Sequence, residues 1–277
     1  QPALSKSIAR LEAELGTPLV ERLPRGVSLT VYGKALLPHA QRIDAECRLA
    51  DRELQSLGKG LTGRLRVGTG VLFGATFVAT AMARIYKYFP SVSFTLHSGA
   101  PEENFARLLA DGVDLMFGLL PAPEAIPPFL ACQPMMEIRQ RVIAGATHPL
   151  AGRRSVDAHD LAKYPWVVRQ NDRDLVQRLT ATITREGAPP PNFNVEVTSF
   201  SAELQILRQG QYLSSFAETM DLPGVVALAY PPVLLGPAGV ILHRSLERYA
   251  PAAKLIDLVR DAVATSTSRR SGLASTK

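Results

Sequence analysis

Apolar residues recur along this chain with two different periods, and the change of period divides it. In residues 1–16, QPALSKSIARLEAELG, Leu4, Ile8, Leu11 and Leu15 make one stripe at helical spacing, which predicts an amphipathic helix. Pro2 suits its first turn, and Gly16 followed by Thr17-Pro18 ends it. Residues 17–30 hold a turn at Pro24-Arg25-Gly26 and an alternating Val27 and Leu29, the size of a two-stranded wing. In residues 31–57, Leu36, Ala40, Ile43, Cys47, Ala50, Leu54 and Leu57 alternate spacings of four and three. So narrow a seam suits helix-on-helix pairing, and a dimerisation helix is expected.

Gly58-Lys59-Gly60-Leu61-Thr62-Gly63 reads as a hinge. Beyond it short apolar strands alternate with helical patterns. Strands are expected at 65–68, 92–96 and 113–119, with helices at 75–88 and 101–110 between them, which implies a parallel sheet with right-handed crossovers. Pro121, Pro123, Pro127 and Pro128 mark a crossing to a second lobe that begins at 141–144. That lobe continues with strands at 166–168, 193–197 and 212–216 and helices at 175–186 and 202–208. Residues 223–228, 240–243 and a helix at 252–264 return to the first lobe. The expected parts are thus 1–33, 34–60, 61–265 and a basic, Ser/Thr-rich, disordered tail at 266–277.

Charge sharpens the first part only. The 31 Lys/Arg against 25 Asp/Glu give +6, yet residues 1–60 hold 9 against 7 and residues 61–265 hold 19 against 18. The bulk is therefore no basic platform, and nucleic-acid contact must come from a local patch. Residues 1–10 carry Lys6 and Arg10 and no acid, whereas Glu12 and Glu14 come later. A helix whose first turns enter a DNA groove needs this polarity, because phosphates line both sides. An ordinary surface helix has the same stripe, and the two readings stay open at this point. Arg25 at the wing tip is placed to reach a minor groove or phosphate, and equally to stand in water.

Other chemistry is thin. Cys47 and Cys132 make neither a disulfide framework nor a metal site, and a reducing, cytoplasmic setting is expected. The five histidines have no partner at metal spacing. There is no G-x-S-x-G elbow, P-loop or Rossmann fingerprint, so neither cofactor, metal nor catalysis is expected. No apolar run is long enough to span a bilayer. The chain lacks an initiator Met and opens inside a helical pattern, which reads as a piece lacking its start.

The run QPALSKSIARLEAELGTPLVERLPRGVSLTVYGKALLPHA resembles the DNA-binding segment of LysR-type transcriptional regulators. The likeness covers the recognition helix, the wing and the Leu29-Thr30-Val31-Tyr32-Gly33 entry to the linker helix. Residues 65–70, His148-Pro149-Leu150-Ala151-Gly152-Arg153 and Tyr164-Pro165-Trp166 are similar, more weakly, to the family's effector domain. The resemblance implies a partial winged helix-turn-helix, a long linker helix and a two-lobe, periplasmic-binding-protein-like α/β domain. The family's first helix is missing, and a chain without it is expected to bind DNA poorly. By resemblance Gln1, Pro2 and Ser5 meet base edges, Lys6 a base or phosphate, Arg25 the minor groove and Thr30 a phosphate, with Arg10 on the same basic face. The implied partners are promoter DNA, a small-molecule effector, further copies of the chain as dimer or tetramer, and RNA polymerase. A soluble solute-binding protein is the alternative; it accounts for 61–265 and leaves seam and wing without purpose.

Two lobes place a cleft at the carboxyl ends of their strands. Helix N-termini at 69–72 and 198–201 are expected to face it and to favour an anion, such as an organic acid. The expected effector residues are Thr69, Gly70, Val71, Gly99, Arg169, Ser199, Phe200 and Ser201, with the hydroxyls of Thr69, Ser199 and Ser201 bonding a carboxylate. Ser199 equally fits plain helix capping.

Overall fold

A computed structural model describes the backbone of residues 2–23, 26–59, 63–170 and 172–274, and their side chains other than those of 2–3, 22, 41–42, 45, 48–49, 51–59 and 267–274. The chain divides into two compact units, 1–60 and 61–277.

In the first unit α1 (Pro2–Leu15) leads to an antiparallel hairpin of β1 (Val20–Leu23) and β2 (Gly26–Leu29), followed by α2 (Val31–Lys59). Glu12 ties α1 to the hairpin: its Oε1 accepts from Leu19 N–H at 2.7 Å and Val20 N–H at 3.0 Å. Thr30 caps α2, its Oγ1 accepting from Gly33 N–H at 3.0 Å and donating to Pro18 O at 2.6 Å. Gly33 is required sterically, since a Cβ there would lie 2.0 Å from Leu19 O. Pro38 sits in α2 near its start, where the lost N–H costs least. Of the expected seam, Leu36 is half-buried while Ala40, Ile43, Cys47 and Ala50 are exposed; the side chains of Leu54 and Leu57 lie outside the described residues.

The second unit is an α/β structure in two lobes. In the first lobe β3 (Gly63–Thr69) runs into helix at Val71, π-helical over Phe73–Val78, and on into α3 (Ala79–Ile85). Then come β4 (Val92–Ser98), α4 (Pro101–Leu109) and β5 (Leu115–Leu119). β3 pairs parallel with both β4 and β5, as the alternation of patterns predicts. Arg66 locks the entry of β3 to β5 through Asp114, with Nη2 to Oδ1 at 2.7 Å and Arg66 N–H to Oδ2 at 2.7 Å. The carboxylate raises the guanidinium pKa further. Leu108, Val113, Met116, Leu130 and Ile241 form this lobe's core.

The crossing is longer than the prolines suggest. β6 (Leu130–Gly145) is one strand of 16 residues through both lobes, and Cys132 lies in it. After α5 (Ala158–Ala162), unforeseen in the sequence, follow β7 (Pro165–Arg169), α6 (Arg173–Arg185), β8 (Asn192–Val197), α7 (Phe200–Arg208), β9 (Leu213–Ala217) and β10 (Val225–Ala227). β11 (Val233–His243) returns antiparallel to β6 and reaches β5, giving the order β4-β3-β5-β11-β6-β9-β7-β8 with β10 beside β6. Ile143, Val167, Leu207 and Phe216 make the second lobe's core. The last helix, α8 (Ala250–Ala274), corrects the expected disorder at 266–277 over all but residues 275–277, which lie outside the described residues. One face of it is buried from Ala252 to Val263, and extending a formed helix is far cheaper than nucleating one.

Candidate functional site

On α1 the helical period puts Lys6 and Arg10 on the face opposite Leu4, Ile8, Leu11 and Leu15, with Ser5 at the flank of that stripe. All three are exposed. Arg10 Nε donates to Glu14 Oε1 at 3.0 Å, a solvent-exposed pair that a phosphate displaces at little cost. Gln1, Arg25 and the side chain of Pro2 lie outside the described residues. Thr30 departs from its expected role. Its hydroxyl donates to Pro18 O and accepts from Gly33 N–H, so it builds the joint and has no proton left for a phosphate.

In the second unit a cleft with a cavity of about 400 Å³ opens between the lobes. It lies beyond the carboxyl ends of β3, β4, β5, β7 and β8 and is floored by the crossing strands β6 and β11. Of the expected residues, Gly70, Val71, Gly99, Arg169 and Phe200 line it. Thr69, Ser199 and Ser201 do not. Thr69 is fully buried, donates to Gly70 O at 2.9 Å, and presses on Gly74, where a Cβ would meet its Cγ2 at 2.8 Å. Ser199 caps α7 through Ala202 N–H at 3.4 Å and shares a 2.7 Å hydrogen bond with Ser201. The Thr69 hydroxyl is thus spent on the scaffold, while the Ser199–Ser201 pair, sharing one bond, keeps a proton to donate.

Sequence patterns missed the residues that shape the cleft. Asn104 Nδ2 donates to Thr69 O at 3.1 Å and to Gly99 O at 3.0 Å, joining the ends of β3 and β4 from behind. Gln140 on β6 lines the floor, with Oε1 accepting from Ser215 at 2.7 Å. Arg169 donates through Nη1 to Glu203 Oε2 at 2.6 Å and through Nη2 to Asp172, while its guanidinium lies 5.0 Å from the Phe216 ring centroid. Glu203 also accepts from Ser214 at 2.7 Å. Burial pushes the carboxyl pKa of both Asp172 and Glu203 up, and Arg169 draws both back down in part. One signal was available: Arg169 and Asp172 stand three apart where a strand turns into a helix. Nothing local marks Glu203 or Gln140.

The helix ends around the cleft bring their own acids. α4 has Glu102 and Glu103 in its first turn, α6 has Asp174 after Asp172, and α7 has Glu203. The first turn of the π-helical segment alone has none. Gly70 N–H, at its entry, donates to Phe117 O at 3.1 Å. Carboxylates at helix N-termini oppose the field that draws an anion; of the two termini expected to draw one, the first has no acid in its first turn and the second has Glu203, held in an ion pair by Arg169.

Residues 1–34 match the model of the bacterial regulatory helix-turn-helix protein, lysR family, and residues 58–264 match the LysR substrate binding domain. The chain belongs to the LysR family of transcriptional regulators. Among LysR-family relatives, the SDS degradation transcriptional activation protein of a Pseudomonas species is 31% identical over 266 residues, 92% of this chain and 84% of that protein. The regulator GbpR of Rhizobium radiobacter is 25% identical over 222 residues, 79% of this chain and 73% of that protein. The fold is that of solved LysR regulators. A full-length OxyR variant from Pseudomonas aeruginosa matches with a TM-score of 0.66 at 20% identity, over 94% of this chain and 85% of that one. Full-length CbnR in complex with target DNA matches at 0.53 and 18%, over 95% and 90%.

Likeness to OxyR does not make this LysR domain a thiol sensor. Cys132 is half-buried and burial pushes its thiol pKa up, which suppresses the reactive thiolate. Among the described residues no group of His, Cys, Asp and Glu is placed to hold a metal ion, and no helix is long and apolar enough to cross a membrane.

Proposed function

We propose that this LysR-family regulator binds promoter DNA through the exposed basic face of α1 and the wing, and senses a small molecule in the cleft between its lobes. The observation that carries the proposal is the polarity of α1: Lys6 and Arg10 stand opposite the apolar stripe with Ser5 at its flank, and Glu12 is turned onto the hairpin. Ser5 and Lys6 are the base and phosphate contacts, with Gln1, Pro2 and Arg25 adding to them. The α2 seam pairs copies into a dimer or tetramer.

Effector contacts are assigned to Gly70, Val71, Gly99, Arg169 and Phe200, supported by their place around the cavity. An effector that fits one spacing of the lobes better than another shifts the population, and through it the presentation of paired recognition helices. RNA polymerase is the partner that reads the altered promoter complex. The site of action is the cytoplasm. The cleft acts by binding rather than catalysis, since Arg169 holds two of its carboxylates in ion pairs. A solute-binding protein leaves the helix-turn-helix match over 1–34 without a use.

The test is DNA binding by the full-length protein to a duplex from upstream of its own gene, titrated at several salt concentrations. Lys6→Ala should weaken binding and flatten the log–log salt slope by about 0.9, the value for one phosphate contact. Unchanged affinity and slope would reject the assignment of α1.

A further inference from the structure

We infer that the effector of this regulator is an uncharged molecule with a largely apolar body, held between apolar side chains of both lobes. The inference rests on the cleft being the effector site, as proposed above, and names the class of molecule it takes.

The two walls are apolar and carry aromatic rings. From the first lobe, Val71, Leu72 and Phe73 reach the cleft at the exit of β3. Phe73 stacks on Phe117, which does not line the cleft, at 5.9 Å between centroids. From the second lobe come Phe200 at the start of α7, Phe216 on β9 and Met220 just beyond it. Phe200 meets Phe216 edge to face at 5.4 Å. An apolar body lying between Phe73 and Phe200 touches both lobes and so favours one spacing of them.

The floor adds an independent observation. β11 shifts register against β6, so Leu235 is an extra residue between the pairs Leu234–Arg139 and Gly236–Ile138. A bulge of this kind re-aims a side chain and recurs beside binding sites. Leu235 and Ile138 both line the cleft, and Gly236 at φ +132° supplies the backbone freedom that the bulge needs.

Charge argues against an ionic body. Among the described residues the lining holds one cation, Arg169, and its charge is matched by Glu203 and Asp172. That cluster keeps N–H donors for a ligand oxygen but offers an anion no net positive charge. The acid-free helix end at Val71, worth about half a charge, stands against the carboxylates of Glu102, Glu103, Asp172 and Asp174 in the same lining. Glu102 and Asp174 are exposed, where water weakens their pull on a cation. The other polar lining groups, Ser98, Gln140, Gln170 and Thr198, are uncharged. An ion entering this cleft gives up its water without a matching counter-charge, whereas an apolar body gains by leaving water.

The test uses two fluorescent probes of one shape on the intact protein: N-phenyl-1-naphthylamine, which is uncharged at neutral pH, and its 8-sulfonate, an anion. The uncharged probe is expected to bind about tenfold more tightly, the scale of one charge brought in without a partner. Gly70→Leu should block the site, because Gly70 lines the cleft and nothing lies within 4 Å of where its Cβ would stand. This variant should melt at the parent's midpoint without probe and lose most of its binding of the uncharged one. If it fails to fold, Met220→Gln should weaken the uncharged probe and narrow its lead over the sulfonate. Tighter binding of the sulfonate by the parent overturns the uncharged class; where Gly70→Leu abolishes that binding, the cleft stays the effector site. An uncharged probe that the parent does not bind, or that Gly70→Leu binds as well as the parent does, overturns the inference too. None of these results touches the DNA titration, which tests the regulator assignment separately.

Discussion

Arg169 on β7 and Glu203 on α7 are joined at 2.6 Å inside the second lobe, with Glu203 only 1% exposed at its side chain. The pair fixes the strand end against the helix that opens the cleft wall. Asp172 and Ser214 complete the cluster.

Removing the cation should therefore be severe and dependent on pH. Arg169→Met leaves two buried carboxylates unpaired, and the expected loss is about 3–5 kcal/mol at neutral pH. Burial already holds both carboxyl pKa values above their ordinary range. Without Arg169 they rise further, so the variant is most stable below the unfolded carboxyl pKa and loses stability as pH rises through the raised one. Denaturant midpoints across acid to neutral pH check this. A variant equally destabilised throughout would mean that packing on Phe216, rather than charge, is what Arg169 supplies.

The sequence made the parallel core of the effector domain legible because β3, β4 and β5 are short apolar runs separated by helical patterns. It hid β6 and β11 for a physical reason. A strand crossing two lobes changes its environment along its length: β6 is buried at Leu130 and again at Ala144, but its middle alternates with Glu137 and Arg139 turned to solvent. No single period describes it. The cleft was legible as a place, since it follows from strand direction. Its chemistry was not, because Glu203, Gln140 and Asn104 act on residues far away in sequence. Thr69 has the right residue type and the right loop, yet its hydroxyl serves the fold; Ser199 and Ser201 bond each other at the start of α7 and do not line the cavity.

Gly33 and Thr30 form the joint of wing and linker helix, and the two make different predictions. Gly33→Ala drives a Cβ into Leu19 O, which sits 2.0 Å from its position. Overpacking against backbone should cost about 1–3 kcal/mol and increase amide hydrogen exchange over residues 18–34. Thr30→Ala should cost about 1 kcal/mol, the value of a lost helix cap, and Thr30→Ser should restore most of it. Restoration of both stability and DNA affinity by serine supports the capping role; a DNA defect with stability intact would return Thr30 to the phosphates.

His148 predicts the acid side of the stability curve. It is 2% exposed, packs at a tilt against Tyr164 at 4.5 Å between centroids, and accepts from Leu150 N–H at Nδ1. Burial lowers its pKa below the ordinary 6.5. The unfolded chain thus takes up a proton first, so stability is full above about pH 6.5 and drains as pH falls through the folded value. His148→Asn keeps an acceptor for the Leu150 amide and removes the titration. Its melting midpoint should fall less between pH 7.5 and pH 5 than that of the parent, whatever its cost at neutral pH. An identical fall in both proteins would assign the acid sensitivity elsewhere.

The linker helix predicts its own concealment. Ile43 is 66% exposed and Cys47, one turn on along the same seam, is exposed too, an uneconomical surface for a single copy of the chain. If the seam pairs copies, Cys47 is covered in the oligomer. Alkylation of Cys47 at neutral pH should then slow as protein concentration rises, followed by mass spectrometry of the peptide. Ile43→Lys should place a charge in the seam, shift the sedimentation profile toward the single chain, and make Cys47 alkylation fast at every concentration. The effector unit of this variant should melt as before, because Ile43 belongs to the first unit. Alkylation at one rate regardless of concentration, with Ile43→Lys still oligomeric, would show that copies meet through another surface.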